Sequence, residues 1–149
     1  MVNMAASKVI SVSTSMKAGA QVHADIRGHK VTIDQPKQAG GTDEGPTPLE
    51  FFLFSLAGCI QSIARIAATQ QKIEMRGIDI DVEATLNPAG LLGKETEDRV
   101  GFQTITVKAQ IDADLTDAEK TEFLDAVCDR CPLHDNIRLA TVVDHSLSA

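Results

Sequence analysis

Gly45-Pro46-Thr47-Pro48-Leu49-Glu50, running into Phe51-Phe52-Leu53-Phe54-Ser55-Leu56-Ala57-Gly58-Cys59, is the stretch whose reading decides the fold. Thr47 carries the hydroxyl of a helix N-cap. Pro48 suits the first helical position, and Glu50 completes a capping box. The helix predicted from this start runs to about Gln71. From Phe51 to Ile60 it is apolar nearly all round, the pattern of a central, buried helix rather than a surface one. The segment ahead of it, residues 35–46, reads as a loop rich in Gly and Pro, including Gly40-Gly41 and Gly45-Pro46.

Strand periodicity flanks this helix on both sides. Upstream, residues 8–16 alternate, with Ile10, Val12 and Met16 on one face and Ser11, Ser13 and Ser15 on the other. Val22, Ala24 and Ile26 repeat the period, Arg27-Gly28-His29-Lys30 supplies a tight turn, and Val31 and Ile33 follow. A small antiparallel meander is expected there. Downstream, Ile78, Ile80, Val82, Ala84 and Leu86 alternate, and so do Ile105, Val107, Ala109 and Ile111. These two long strands predict a hairpin with an extended polar tip over Asn87 to Gly101. Thr116 with Glu119 is a second capping box, opening a helix over Asp117 to about Arg130. Pro132 disfavours helical geometry at Cys131 and ends that helix. Residues 141–147 are expected to close the chain as a strand. The order is three strands, helix, two strands, helix, strand, which is an α+β domain spanning residues 1–149.

Composition excludes several functions. A chain of 149 residues with 43% hydrophobic residues fits one domain with a sizeable core. With five Phe and no Tyr or Trp, that core is aliphatic, and Phe51, Phe52 and Phe54 concentrate the aromatic surface beside Cys59. A net charge of -7 repels phosphate backbones, so nucleic acid is not an expected partner. Three cysteines do not make a secreted disulfide framework. No basic segment followed by an apolar run opens the sequence, so no signal peptide is expected. The apolar run near Phe51, flanked by Glu50 and Arg65, reads as too short to span a bilayer. A cytoplasmic, soluble protein without a membrane partner is the expectation.

The candidate chemistry lies in the thiols. Helical spacing puts Phe52, Ser55, Leu56, Ser62, Ile63 and Ile66 near Cys59. Such a neighbourhood suits an apolar ligand, but it also raises a thiol pKa by desolvation. A reactive Cys59 therefore needs a cation from another segment, with Lys17, Arg27, Arg130 and His134 as candidates. Glu50 lies about 180° around an ideal helix from Cys59, and Arg65 also points away. Cys59 packing only as a small hydrophobe is the competing reading. Cys128 and Cys131 form a Cys-x-x-Cys pair at a helix C-terminus, where the dipole opposes the thiolate. With His134 they make three ligands where structural zinc wants four, so no metal is expected. Cys128, beside Phe123, Leu124 and Val127, reads as core; Cys131, at the Cys-Pro helix end, reads as the more exposed. His23, His29 and His145 read as solvated or satisfied side chains. Asp112, Asp114 and Asp117 serve turn and capping chemistry rather than calcium.

Gly45-Pro46-Thr47-Pro48-Leu49-Glu50, the apolar run, Ala57-Gly58-Cys59, and Arg130-Cys131-Pro132-Leu133-His134 together resemble the OsmC/Ohr family, the osmotically inducible protein C and organic hydroperoxide resistance proteins. The resemblance covers nearly the whole chain. It implies antiparallel sheets packed on a long central helix in a tightly intertwined homodimer, with the site at the subunit interface. It also implies a thiol-dependent peroxidase acting on an organic hydroperoxide. In that reading Cys59 is the peroxidatic cysteine and Cys131 the resolving one. Glu50 holds an arginine from the N-terminal strands, for which Arg27 is the candidate and Lys17 the substitute. Phe51, Phe52 and Ser55 line the substrate pocket. The implied reductant is a dithiol or a lipoylated protein, and no metal, haem or flavin is required. Thr-Pro-Leu-Glu replaces the family's more usual Asn-Pro-Glu, one position later, and Pro-Leu-His follows Cys131 in place of smaller residues. Both departures resemble the OsmC-like branch. Two alternatives stand beside this reading. One is a non-catalytic module binding a small apolar or electrophilic metabolite. The other is redox or metal sensing through Cys128 and Cys131.

Overall fold

The computed structural model describes residues 6–148. The chain divides into two compact units, Met1–Phe51 and Phe52–Ala149.

The first unit is an antiparallel sheet in the order β1 (Thr14–Met16), β2 (Val22–Ile26), β3 (His29–Ile33). Arg27 and Gly28 join β2 to β3 with φ of 54° and 87°. Two successive positive φ values make the primed turn whose twist matches the flanking strands. Asp25 Oδ1 accepts the Gly28 N–H at 2.7 Å and fixes it. β1 is shorter than its alternation predicts. Thr14 faces Ala24, so residue 12 would face Ile26 and anything earlier would face the turn. The ladder runs out there, and Val9, Ile10 and Val12 stay exposed. Alternation supplies a face; only a partner backbone supplies a strand.

Beyond β3 the chain winds around Asp34, a fully buried carboxylate. It accepts the Gln35 N–H at 2.7 Å, the Thr42 hydroxyl at 2.7 Å and the Glu44 N–H at 3.0 Å. The Glu44 N–H and the Thr42 hydroxyl dominate in holding its pKa far below the usual carboxylate range. Gly41 passes so close that a Cβ would sit 1.9 Å from the Gln35 carbonyl oxygen, so only glycine fits. This knot delivers the chain to Thr47.

Helix α1 spans Pro48–Gln71, as the capping signals predict. Glu50 N–H donates to Thr47 Oγ1 at 3.2 Å, and Thr47 N–H donates to the Glu50 carboxylate at 2.7 Å. In the second unit, β4 (Met75–Thr85) and β5 (Thr104–Ala113) form the long hairpin, in register from Ile78↔Ile111 to Thr85↔Thr104, with an irregularity between Met75 and Gly77. Leu56, Ile60, Ala64, Ala67 and Ala68 recur at helical spacing on the buried side of α1. They join Met75, Ile111, Ala113, Phe123, Val127 and Cys131 in one core cluster. The alanines let backbones approach, while fully buried side chains such as Ile60 and Val127 each contribute about 1.5–3 kcal/mol.

The expectation that α1 is buried all round is corrected. Leu49, Phe52, Phe54 and Ile66 are exposed, Phe54 at 72%. The apolar pattern exceeds what packing within one chain consumes. The expectation that the apolar stretch is too short for a bilayer is also corrected: α1 has 24 residues, holds a stretch of mean hydropathy 1.6, and by length and composition alone is able to cross a membrane. Its buried side, however, has the spacing and partners of a core helix.

Helix α2 (Asp117–Arg130) starts on the expected Thr116–Glu119 capping box. It ends at Cys131, whose backbone is extended (φ -81°, ψ 115°) as the following proline demands. Pro132 then opens a further helix that the sequence reading lacked, α3 (Pro132–Arg138). A proline that stops one helix is also the favoured first residue of the next. The strand expected at 141–147 is absent among the described residues. The segment has no ladder partner, and Val142, Val143 and Leu147 are exposed.

Candidate active site

Two segments far apart in sequence bring the site's thiols together. Cys59 rides on α1 beside the core position Ile60, and Cys131 is the residue shared by the end of α2 and the start of α3. Cys131 lies close enough to Cys59 to bear on its charge, and the backbone N–H of Leu133 is directed at the Cys59 sulfur. All three cysteines are free thiols. The local reason is the Cys-Pro junction. Cys131 N–H closes α2 on the Cys128 carbonyl at 3.1 Å, its own carbonyl accepts from Asp135 at 3.0 Å, and its sulfur caps α3 by accepting the His134 N–H at 3.5 Å. That capping turn points the Leu133 N–H at Cys59.

The expected exposures are reversed. Cys131, read as the exposed thiol, is fully buried (0% exposed), because its sulfur serves as a helix cap. Cys59 is only half-buried. Cys128, packed against the core, is also half-buried.

Electrostatics alone do not activate Cys59 in this chain. Burial pushes its pKa up, the Cys131 sulfur beside it adds to the rise, and the Leu133 N–H pulls the other way. Among the described residues, no cation enters that balance. The Cys128 thiol is also pushed up, first by burial and then by Cys131, Asp125 and Asp129.

The other anticipated residues fall as follows. Glu50 and Arg27 both belong to the first unit. One oxygen of the Glu50 carboxylate accepts the Thr47 N–H at the α1 cap, and the Thr47 N–H and hydroxyl lower its pKa. Arg27 occupies the left-handed first position of the β2–β3 turn. Arg130 donates to Gln70 at 2.9 Å, and Arg65 donates to the Met75 carbonyl. His134 offers Cys131 its backbone N–H. The hydroxyls expected beside Cys59 bond back to their own helix: Ser55 to the Phe52 carbonyl at 2.8 Å and Ser62 to that of Gly58 at 2.7 Å. Phe51 is half-buried, while Phe52 is exposed and meets Phe102, ring centroids 5.9 Å apart.

Sequence reasoning missed Leu133 and Phe102. A backbone N–H carries no residue signature, and the only cue to Leu133 was Pro132 at a helix start. Phe102 sits in the irregular segment before β5, where no periodicity marks its direction. Among the described residues, no three His, Cys, Asp or Glu side chains gather into a metal set.

Fold and thiol pair together define a class. Residues 41–146 match the model of the OsmC-like protein family, and the chain belongs to that family. It has the α+β OsmC-like fold, with antiparallel sheets and a long helix. It is 24% identical over 132 residues to a hydroperoxide reductase of Mycoplasma genitalium, covering 87% of each chain. Its fold is similar to an OsmC-like protein from Mycoplasma pneumoniae (TM-score 0.76, 22% identity, 89% of each chain). It is also similar to an organic hydroperoxide resistance protein OsmC from Legionella pneumophila (TM-score 0.67, 22% identity, 89% of this chain and 92% of the other).

Proposed function

We propose that this protein is a thiol-dependent peroxidase that reduces organic hydroperoxides in the cytoplasm. The observation that carries the reading is the contact of Cys59 with Cys131, with the Leu133 N–H on the Cys59 sulfur. Two thiols in contact form a disulfide when their Cα atoms lie within about 7 Å. The relative named a hydroperoxide reductase supports the substrate class.

The Cys59 thiolate attacks the distal oxygen of the hydroperoxide. The O–O bond breaks, the alcohol leaves with a proton from solvent, and Cys59 becomes a sulfenic acid. Cys131 attacks that sulfur, water leaves, and a Cys59–Cys131 disulfide remains. A dithiol or lipoylated protein then reduces it by exchange, becoming a disulfide itself. The reaction balances without metal or organic cofactor. Phe51, Phe52 and Ser55 flank the substrate's apolar part. Arg27, held by Glu50, supplies the cation that the buried thiol needs, and a homodimer covers the exposed apolar side of α1. Turnover of cumene hydroperoxide with a dithiol tests the chemistry: Cys59→Ser is expected to abolish it, and unchanged turnover ends the proposal.

The raised pKa of Cys59 favours a second reading, a non-catalytic module that binds an apolar or electrophilic metabolite. The rate of alkylation at Cys59 against pH separates the two. An apparent pKa below about 8.5, the ordinary thiol value, supports the peroxidase, and one above it supports the module.

A further inference from the structure

A third thiol, Cys128, lies next to the Cys131 member of the reacting pair. Cys128 is one turn earlier on α2, and its charge interaction is with Cys131, as is that of Cys59. Cys131 thus bears on both of the other thiols. The Cys131 N–H to Cys128 carbonyl bond at 3.1 Å closes the turn between them. Residues three apart on a helix have Cβ atoms about 5–6 Å apart. A disulfide wants about 3.5–4.5 Å. Closing that difference requires Cys131, already out of helical geometry with φ -81° and ψ 115°, to release the His134 N–H from its sulfur and turn towards Cys128.

We propose that Cys128 is a relay thiol that takes the disulfide from the substrate site. The inference rests on the peroxidase reading above. The Cys128 thiolate attacks the Cys131 sulfur of the Cys59–Cys131 disulfide. A Cys128–Cys131 bond forms, the Cys59–Cys131 bond breaks, and Cys59 departs as a thiolate that takes the proton Cys128 lost. No electron is gained or lost in that step. An external dithiol afterwards reduces Cys128–Cys131 through the half-buried Cys128 sulfur, while Cys131 itself is fully buried. The relay has two consequences. Cys59 regains its thiol before any reductant arrives, and reductant need not enter the substrate's apolar site. Burial, with Cys131, Asp125 and Asp129 beside it, disfavours the Cys128 thiolate, so the transfer is expected to quicken as pH rises.

Peptide mapping tests this directly. Reduced protein is given one equivalent of cumene hydroperoxide, quenched with N-ethylmaleimide over time, and digested with trypsin. Cleavage at Lys37, Arg65, Lys120, Arg130 and Arg138 places Cys59, Cys128 and Cys131 on separate peptides. The relay predicts an early Cys59–Cys131 cross-link that gives way to Cys128–Cys131 with Cys59 alkylated. Cys128→Ser and Cys128→Ala are both expected to hold the first cross-link and to slow dithiol-driven turnover at least severalfold. Cys128 alkylated at every time point in the parent, with turnover unchanged in both variants, overturns the relay and leaves the peroxidase standing. Recovery of all three cysteines as alkylated thiols at every time point after peroxide overturns both.

Discussion

Asp34 and Cys59 are both ionisable groups held inside the protein, and their surroundings treat charge in opposite ways. Asp34 is ringed by donors, two backbone N–H groups and a hydroxyl among them, and its charged form is strongly favoured. Cys59 has one backbone N–H and a second sulfur, and its charged form is disfavoured. A fully satisfied buried charge is a rivet: it has nothing left to react with. An under-satisfied thiol against another thiol has reactivity in reserve, released when a cation, an oxidant or a change of pH arrives. The contrast separates the first unit's structural loop from the second unit's candidate chemistry.

The largest expected effect breaks the contrast on the thiol side. Cys59→Ser is expected to lower peroxide turnover by three orders of magnitude or more, since the attacking atom is lost. Circular dichroism and Tm are expected to change little, because the substitution is nearly isosteric. On the other side, Asp34→Ala leaves the Gln35 and Glu44 N–H groups and the Thr42 hydroxyl without their acceptor. Its expected signature is the reverse: a Tm lower by several degrees in thermal melts.

A pH series sharpens the comparison. The folded pKa of Asp34 lies below its unfolded value, so the unfolded chain takes up the proton first as pH falls. Its stabilisation is therefore complete above about pH 4 and lost progressively below it. Plots of Tm against pH are expected to fall less steeply in acid for Asp34→Asn than for the parent. Cys59 runs the other way. A thiol pushed up by burial gains its reactive form as pH rises, so alkylation at Cys59 is expected to accelerate with pH until its pKa is passed.

Glu50 divides the two roles within one side chain. As a cap it is worth about 1 kcal/mol, and Glu50→Gln retains an acceptor for the Thr47 N–H. If it also holds the activating arginine, Glu50→Gln and Arg27→Ala each lower the rate at Cys59 while Tm holds. The smallest effect belongs to the ring pair. Phe102→Ala removes a contact worth about 0.5–1.5 kcal/mol and is expected to raise KM for cumene hydroperoxide severalfold with kcat nearly constant.

Legibility in the sequence followed the range of the interaction. α1, α2 and the β4–β5 hairpin were readable because capping boxes and alternation are local codes that packing then reinforced. The full length of β1 and the strand at 141–147 were over-read, because apolar alternation says which face seeks burial and not whether a partner backbone is at hand. α3 was under-read because Pro132 carries two signals, stop and start. At the site, the pairing of Cys59 with Cys131 came from motif resemblance; the Leu133 N–H, the burial of Cys131 and the Phe52–Phe102 contact came only from three dimensions.

The most direct test is the state of Cys59 and Cys131 after one equivalent of an organic hydroperoxide, read by intact mass and peptide mapping of alkylated protein. The account predicts a chain lighter by two hydrogens, with its earliest cross-link joining the Cys59 and Cys131 peptides. Recovery of all three cysteines as alkylated thiols, with the peroxide unconsumed, contradicts it.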